Sequence, residues 1–281
     1  MTTVSVTAPR SGGRQDGRRT AGETLSLVAE RGVPPLVTAI VLIGAWQLCV
    51  ATGLIGASVV SEPSRIAVLL WHTLQGQQLF GASIWTDLSV TLRAIIYGYL
   101  IGTAFGIVLG YLLARVDFVA QVFQPYIEAI AALPKIALVP LFVFIFGIGI
   151  TAEMVNAALM VFIIVLFSTF SGVAGVPEEL VNTARVMGAR RWTITGRVVI
   201  PAALPSILVG MRAGVSFAFV GAITSEFIAA TSGLGWMMEQ ATAAYDTDAL
   251  FTGLIYLVVL VWLLAQVIGL LQAWLLRWQR G

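Results

Sequence analysis

Charge is scarce in this sequence, and so are the side chains that carry chemistry. Of 281 residues 11% are charged and 58% hydrophobic, and there is one Cys, one His and a single Lys. A soluble domain is nearer ~25% charged and ~45–50% apolar. Each shortage excludes something. A net charge of +2 is too small to argue for a nucleic-acid partner. Lys135 sits in "AALPKIAL" without a glycine-rich turn, so the chain has no P-loop for nucleotide phosphates. Cys49 cannot make an internal disulfide and reads as a small buried hydrophobe. His72 has no carboxylates clustered about it to form a metal site, and reads as exposed or interfacial. No Ser/His or paired-Asp constellation lies in the apolar runs, which puts an intramembrane enzyme last among the readings.

What the sequence has instead is long apolar runs, so lipid is the expected solvent and helix against helix the expected core. Residues 1–32 are polar and Arg-bearing and read as a disordered cytoplasmic tail. Residues 33–281 read as one all-α membrane domain of about six crossings, at 33–54, 86–114, 123–149, 152–172, 201–228 and 249–276. A cleaved signal peptide is the rival reading of the first run, which is too long and lacks a small-residue cleavage site. Between the first two crossings, Ile66, Leu69, Leu70 and Leu74 suit a helix lying at the interface. In the second, Gly98, Gly102, Gly106 and Gly110 recur every four residues and predict close helix approach. Pro125, Pro134 and Pro140 break the third, so it should be buried in protein or line a cavity. Gly233 and Gly235 read as a turn.

Orientation follows the basic residues. With the N-terminus inside, twelve of the sixteen are cytoplasmic: Arg10, Arg14, Arg18, Arg19, Arg31, Arg115, Arg185, Arg190, Arg191, Arg197, Arg277 and Arg280. Four of these fall in "EELVNTARVMGARRWTITGRVVIP", residues 178–201, a charged stretch between two apolar runs. Pro177 suits a first helical turn, and Glu178 and Glu179 suit its N-terminal dipole. Leu180, Ala184 and Met187 form an apolar stripe, Gly188 can stop the helix, and Pro201 opens the next crossing. A helix resting on its own protein surface and a helix docked in a partner's groove both fit this pattern.

The same stretch resembles the EAA loop of permease subunits in bacterial ABC importers: Glu-Ala-Ala, three residues, Gly, nine residues, Ile-x-Leu-Pro. Asn182-Thr183-Ala184, Gly188 and Val198-Val199-Ile200-Pro201 keep its spacing. Asn182 replaces the motif Glu, with Glu178 and Glu179 one turn earlier. "SEPSRIAVLLWHTL", "LPKIALVPLFVFIFGIG", "VIPAALPSILVGMRAG" and "SEFIAATSGLGWMM" extend the likeness over residues 60–270, to the nitrate/sulfonate/taurine/bicarbonate branch.

The resemblance implies a type I ABC importer permease fold with a cytoplasmic coupling helix in the loop 173–201. It implies a non-catalytic subunit of the plasma membrane, forming half of a pathway for a small anion. Its partners would be two ATPase subunits that bind Mg-ATP, a second permease copy or homologue, and an extracytoplasmic solute-binding protein that meets residues 55–85 and 229–248. Coupling would fall to Glu178, Glu179, Leu180, Asn182, Thr183, Ala184, Arg185, Met187, Gly188, Arg191 and Pro201. For the pathway, Lys135 and Arg212 are the interior basic residues, and together could form an electropositive constriction. The alternative for them is structural pairing, Lys135 with Glu128 and Arg212 with a carbonyl or Glu226. A self-sufficient secondary transporter or channel is the competing function. It would need coupling carboxylates in the spans, where only Glu128 and Glu226 offer themselves, and it leaves the EAA-like loop unexplained.

Overall fold

The computed structural model describes residues 37–56, 59–115, 122, 125–126, 129 and 134–275, with side chains to residue 270. Its helices are α1 (Val37–Ala51), α2 (Pro63–Leu74), α3 (Ile84–Ala114), α4 (Val139–Phe146), α5 (Ile150–Ala174), α6 (Glu178–Val186), α7 (Arg191–Ile194), α8 (Ile200–Ala229), α9 (Leu234–Ala243) and α10 (Thr247–Leu275). A two-residue hairpin, Gln78–Leu79 with Ala82–Ser83, precedes α3; Phe80 and Gly81 turn it with positive φ. Among the described residues, four helical stretches are long and apolar enough to cross a membrane: α3, α5, Arg191–Ala229 and Thr247–Leu270. The fold is that of an all-α polytopic membrane protein.

The glycine row builds its centre. A Cβ on Gly98 would lie 2.5 Å from the Ala157 Cβ, and one on Gly106 would lie 2.9 Å from the Val165 Cβ. The backbones of α3 and α5 therefore pack with no side chain between them, as small residues permit in lipid. Both numbers rise together along this seam, so α3 and α5 run parallel. The α5–α8 seam runs the other way: Gly221 meets Ala157 while Gly172 meets Ser206. Helix α5 is thus the central strut, with Ala157, Val161 and Val165 wholly buried between α3 and α8.

Parallel packing of α3 and α5 has a topological consequence. The chain leaves α3 at one end of the bundle and must enter α5 at the other, so residues 115–149 have to return across about 30 Å. This agrees with a third crossing there. Its described part is short: a 3-10 turn, Lys135–Leu138, running into α4.

Helix α2 lays Ile66 and Thr73 inward and leaves Arg65, Trp71 and Leu74 outward. The Thr73 hydroxyl lies 2.8 Å from the Tyr256 hydroxyl, which donates to the Leu70 carbonyl at 3.1 Å, pinning α2 to α10. Cys49 is half-buried and not a core side chain; His72 is exposed.

Candidate functional site

The segment 175–201 stands at the end of the bundle where α3 and α5 finish. Pro177 caps α6, with Glu178 and Glu179 in its first turn. The helix ends as its sequence implies: Gly188 takes φ +78°, its N–H donates to Arg185 O, and Ala189 N–H donates to Ala184 O, each at 3.0 Å. That pair of bonds is the Schellman ending that favours Gly. No residue of α6 is buried. Ala184 is half-buried, while Leu180 is 49% exposed and Met187 82%. Val186 at 90% and Trp192 at 80% add two large apolar side chains that the stripe had not included. The Arg185 guanidinium donates to Asn182 Oδ1 at 3.1 Å, so Asn182 is held on its own helix while Thr183 stays exposed.

Beyond Gly188 the chain does not start a fresh crossing at Pro201. Arg191 begins a helical path that continues to Ala229 through a π-helical turn at Thr195–Val199. Proline at an early helical position looks like a start signal, because its missing N–H costs nothing there; here it lies inside the path. A π turn within a helix is a feature of functional hinges. Two contacts tie this elbow to α3. The Arg115 guanidinium carbon lies 6.0 Å from the ring centroids of both Tyr111 and Trp192. The Tyr111 hydroxyl donates to Thr195 Oγ1 at 3.2 Å. The segment 175–201 is therefore joined covalently to α5 and α8 and by contact to α3.

Lys135 and Arg212 stand apart from this end. Lys135 is half-buried at the start of the 3-10 turn, and Arg212 is exposed on α8. The pairing of Arg212 with Glu226 is overturned. Both are on α8, about 21 Å apart at 1.5 Å per residue, and Glu226 is engaged elsewhere. Glu128 lies outside the described residues.

Glu226 belongs to a polar cluster at the opposite end of the bundle, which sequence reasoning missed. The first N–H groups of α9 need acceptors. Gly233 N–H donates to Asp87 Oδ1 at 2.9 Å, Leu234 N–H to Thr91 Oγ1 at 2.9 Å, and Gly235 N–H to Glu226 Oε2 at 2.7 Å. Thr91 in turn donates to Glu226 Oε1 at 2.7 Å. Asp87, Thr91 and Glu226 are each at most 1% exposed. Gly233 has φ +115°, and a Cβ there would lie 2.5 Å from the Glu226 carboxyl carbon. The turn read at Gly233 and Gly235 is present, and its purpose is to bring a helix N-terminus onto carboxylates. Among the described residues no group of three or more His, Cys, Asp or Glu could hold a metal ion.

Comparison with known proteins agrees with this architecture. The profile of the family described as "Binding-protein-dependent transport system inner membrane component" matches residues 102–281. A probable ABC transporter permease protein of Brucella abortus is 32% identical over 237 residues, covering 84% of this chain and 92% of that protein. The riboflavin transport system permease protein RibX of Chloroflexus aurantiacus is 32% identical over 248 residues, covering 88% and 90%. The taurine transport system permease protein TauC of Escherichia coli is 30% identical over 241 residues, covering 86% and 88%. Among solved structures, an inward-facing form of the MetNI methionine ABC transporter aligns with TM-score 0.54 at 21% identity, over 73% of this chain and 96% of that one. The chain therefore belongs to the binding-protein-dependent inner membrane transport components, and it is the permease of an ABC importer.

Proposed function

We propose that this permease forms half of a translocation pathway for a small anion and is driven through the segment 175–201 by a separate ATPase. The observation that carries the docking role is an inversion of ordinary surface chemistry. Leu180, Val186, Met187 and Trp192 are all large, apolar and 49–90% exposed at the end of the bundle, on a stiff charged segment that lies beyond the apolar runs. Side chains of this kind serve as anchors in a groove. Glu178, Glu179, Asn182, Thr183, Arg185, Gly188 and Arg191 shape and rim that surface, Ala184 seats it, and Pro201 lies where it passes into α8. Arg115 and the four arginines between 185 and 197 share this end, which favours placing it, with both termini, on the cytoplasmic side.

In this reading two permease copies, or this chain and a close relative, pair about a two-fold axis. Each takes one ATPase subunit, which holds Mg-ATP and hydrolyses it, while the permease does no chemistry. An extracytoplasmic binding protein meets the α2–hairpin and α9–α10 surfaces. Exposed Arg212 and half-buried Lys135 support an anionic solute. Two of the named relatives are riboflavin and taurine permeases, so the solute itself is a matter for the cognate binding protein. The role of Glu226 as an α9 cap leaves it unavailable for ion coupling and weighs against a self-sufficient transporter.

Co-purification tests the docking role. Leu180→Asp, Ala184→Asp and Gly188→Trp are each expected to lower recovery of the ATPase at least about tenfold, a loss of roughly 1.4 kcal/mol, with the permease still inserted and monodisperse. Full recovery with all three variants contradicts the role.

A further inference from the structure

A cleft of about 320 Å³ opens between α5 and α8, lined by Phe167, Ser168, Ser171, Pro205, Ser206 and Val209. Its chemistry is unusual for a membrane span. Hydroxyls in apolar helices commonly turn back to a carbonyl of their own helix. Thr73, Thr224, Thr242 and Thr252 do this here, at 2.6–2.9 Å. Among the described residues the hydroxyls of Ser168, Ser171 and Ser206 find no partner; the buried hydroxyls of Thr103, Thr169 and Ser225 have none either, but here three gather in one cleft. Pro205 adds another free group: it has no N–H to give the carbonyl four residues back. An unsatisfied polar group in hydrocarbon costs several kcal/mol, so this cleft is built for something other than an acyl chain.

The face of α8 that carries the cleft extends the argument. Pro205, Val209, Arg212 and Ser216 follow one another at spacings of four, three and four residues, and all are exposed. The Arg212 backbone stands about 9 Å along the axis from Ser206 and about 120° around it, so Arg212 flanks the cleft beyond Val209. A cation and hydroxyls on one helix face belong against water or polar partners. No residue lining the cleft is acidic. Each hydroxyl can donate, and the volume suits a small solute. The cleft between α3 and α5 is the contrast: about 400 Å³, with Ile101, Phe105, Met154 and Phe162 among its lining and no polar surface exposed in it.

We propose that the α5–α8 cleft is a station on the translocation pathway for a solute bearing an oxyanion group. Arg212 draws the negative charge in, and Ser168, Ser171 and Ser206 donate to its oxygens. The proposal rests on the permease reading above and deepens it to named residues.

The sequence supplies a convenient test, because Cys49 is its only cysteine. In the full permease–ATPase complex in native membranes, with Cys49→Ser as background, Ser171→Cys and Ser206→Cys are exposed to two thiosulfonate reagents. One carries a sulfonate, the other a trimethylammonium group, and each rate is taken relative to that with a small free thiol. The sulfonate reagent is expected to react at least about fivefold faster than the cationic one at both positions, as a local positive potential concentrates anions. Adding Arg212→Gln should bring the ratio to within about twofold of one. Phe105→Cys, in the apolar cleft, should react with neither. Inert cysteines at both serine positions, or reaction without anion preference, or a preference untouched by Arg212→Gln, overturns the station. ATPase recovery, measured on the same samples and on the chain with native Cys49, keeps the outcomes separate: an assembled complex with inert cysteines removes the cleft alone, whereas failure of the native-Cys49 chain to recruit the ATPase removes the docking reading beneath it.

Discussion

The two ends of the bundle treat polar and apolar side chains in opposite ways. Where α9 begins, Asp87, Thr91 and Glu226 are buried and accept from one helix N-terminus, and Thr91 also donates to Glu226. Where α6 lies, Val186, Met187 and Trp192 are large, apolar and open. Buried carboxylates that accept from a helix N-terminus hold a structure together; large apolar side chains that no described residue covers suit contact with another molecule. The difference separates a fixed end from a working end, and it allows damage to the two to be told apart by experiment.

The largest expected effect is at the fixed end. Gly233→Val demands a β-branched residue at φ +115° with its Cβ 2.5 Å from the Glu226 carboxyl. We expect a loss of about 3 kcal/mol or more in stability, enough to lower the thermal midpoint in detergent by several degrees. The same change leaves the docking surface intact, so ATPase recovery per folded permease should not fall. A drop in recovery with unchanged stability would erase the distinction between the ends.

Effects on transport come next. Arg212→Ala and Lys135→Ala are each expected to reduce uptake by about tenfold while assembly and stability stay within error, since a pathway charge acts on the solute and not on the fold. Uptake assays in cells expressing the complete importer check this; unchanged uptake in both single variants removes them from the pathway. The smallest effect sits at the elbow. Arg115→Ala removes two cation–π contacts, worth about 0.5–1 kcal/mol each at exposed sites. Stability should barely change, but the ATP hydrolysed per solute moved should rise, because the Arg115 link to Trp192 is lost and only the Tyr111–Thr195 bond still ties α3 to the elbow. An unaltered ratio would reduce the clasp to packing.

How much of this could be read from sequence depended on how local the signal was. The glycine row of α3 was legible because a four-residue spacing fixes a face whatever packs on it. Helix α6 was legible because its acidic start, apolar stripe and Gly stop lie within twelve residues. The α9 cap was not. Asp87 and Thr91 lie more than 140 residues from the N–H groups they accept or bind, and a lone carboxylate in an apolar run carries no pattern that names its partner. The same blindness produced the Arg212–Glu226 pair: two opposite charges in an apolar run invite pairing, yet 14 residues along one helix separates them by about 21 Å. The π turn was hidden for another reason. A Pro at residue 201 looks like a beginning, and nothing in "TGRVV" announces an extra residue in the turn. The clasp of Arg115 between Tyr111 and Trp192 likewise joins segments about 80 residues apart.

The central claim is that the exposed apolar surface on and after α6 faces the cytoplasm and is covered by the ATPase. Met187→Cys in the Cys49→Ser background tests it directly. In intact cells a membrane-impermeant thiol reagent should leave this cysteine unmodified. In permeabilised cells lacking the ATPase it should react readily, and adding the ATPase should protect it. Modification in intact cells, or equal reactivity with and without the ATPase, contradicts the account.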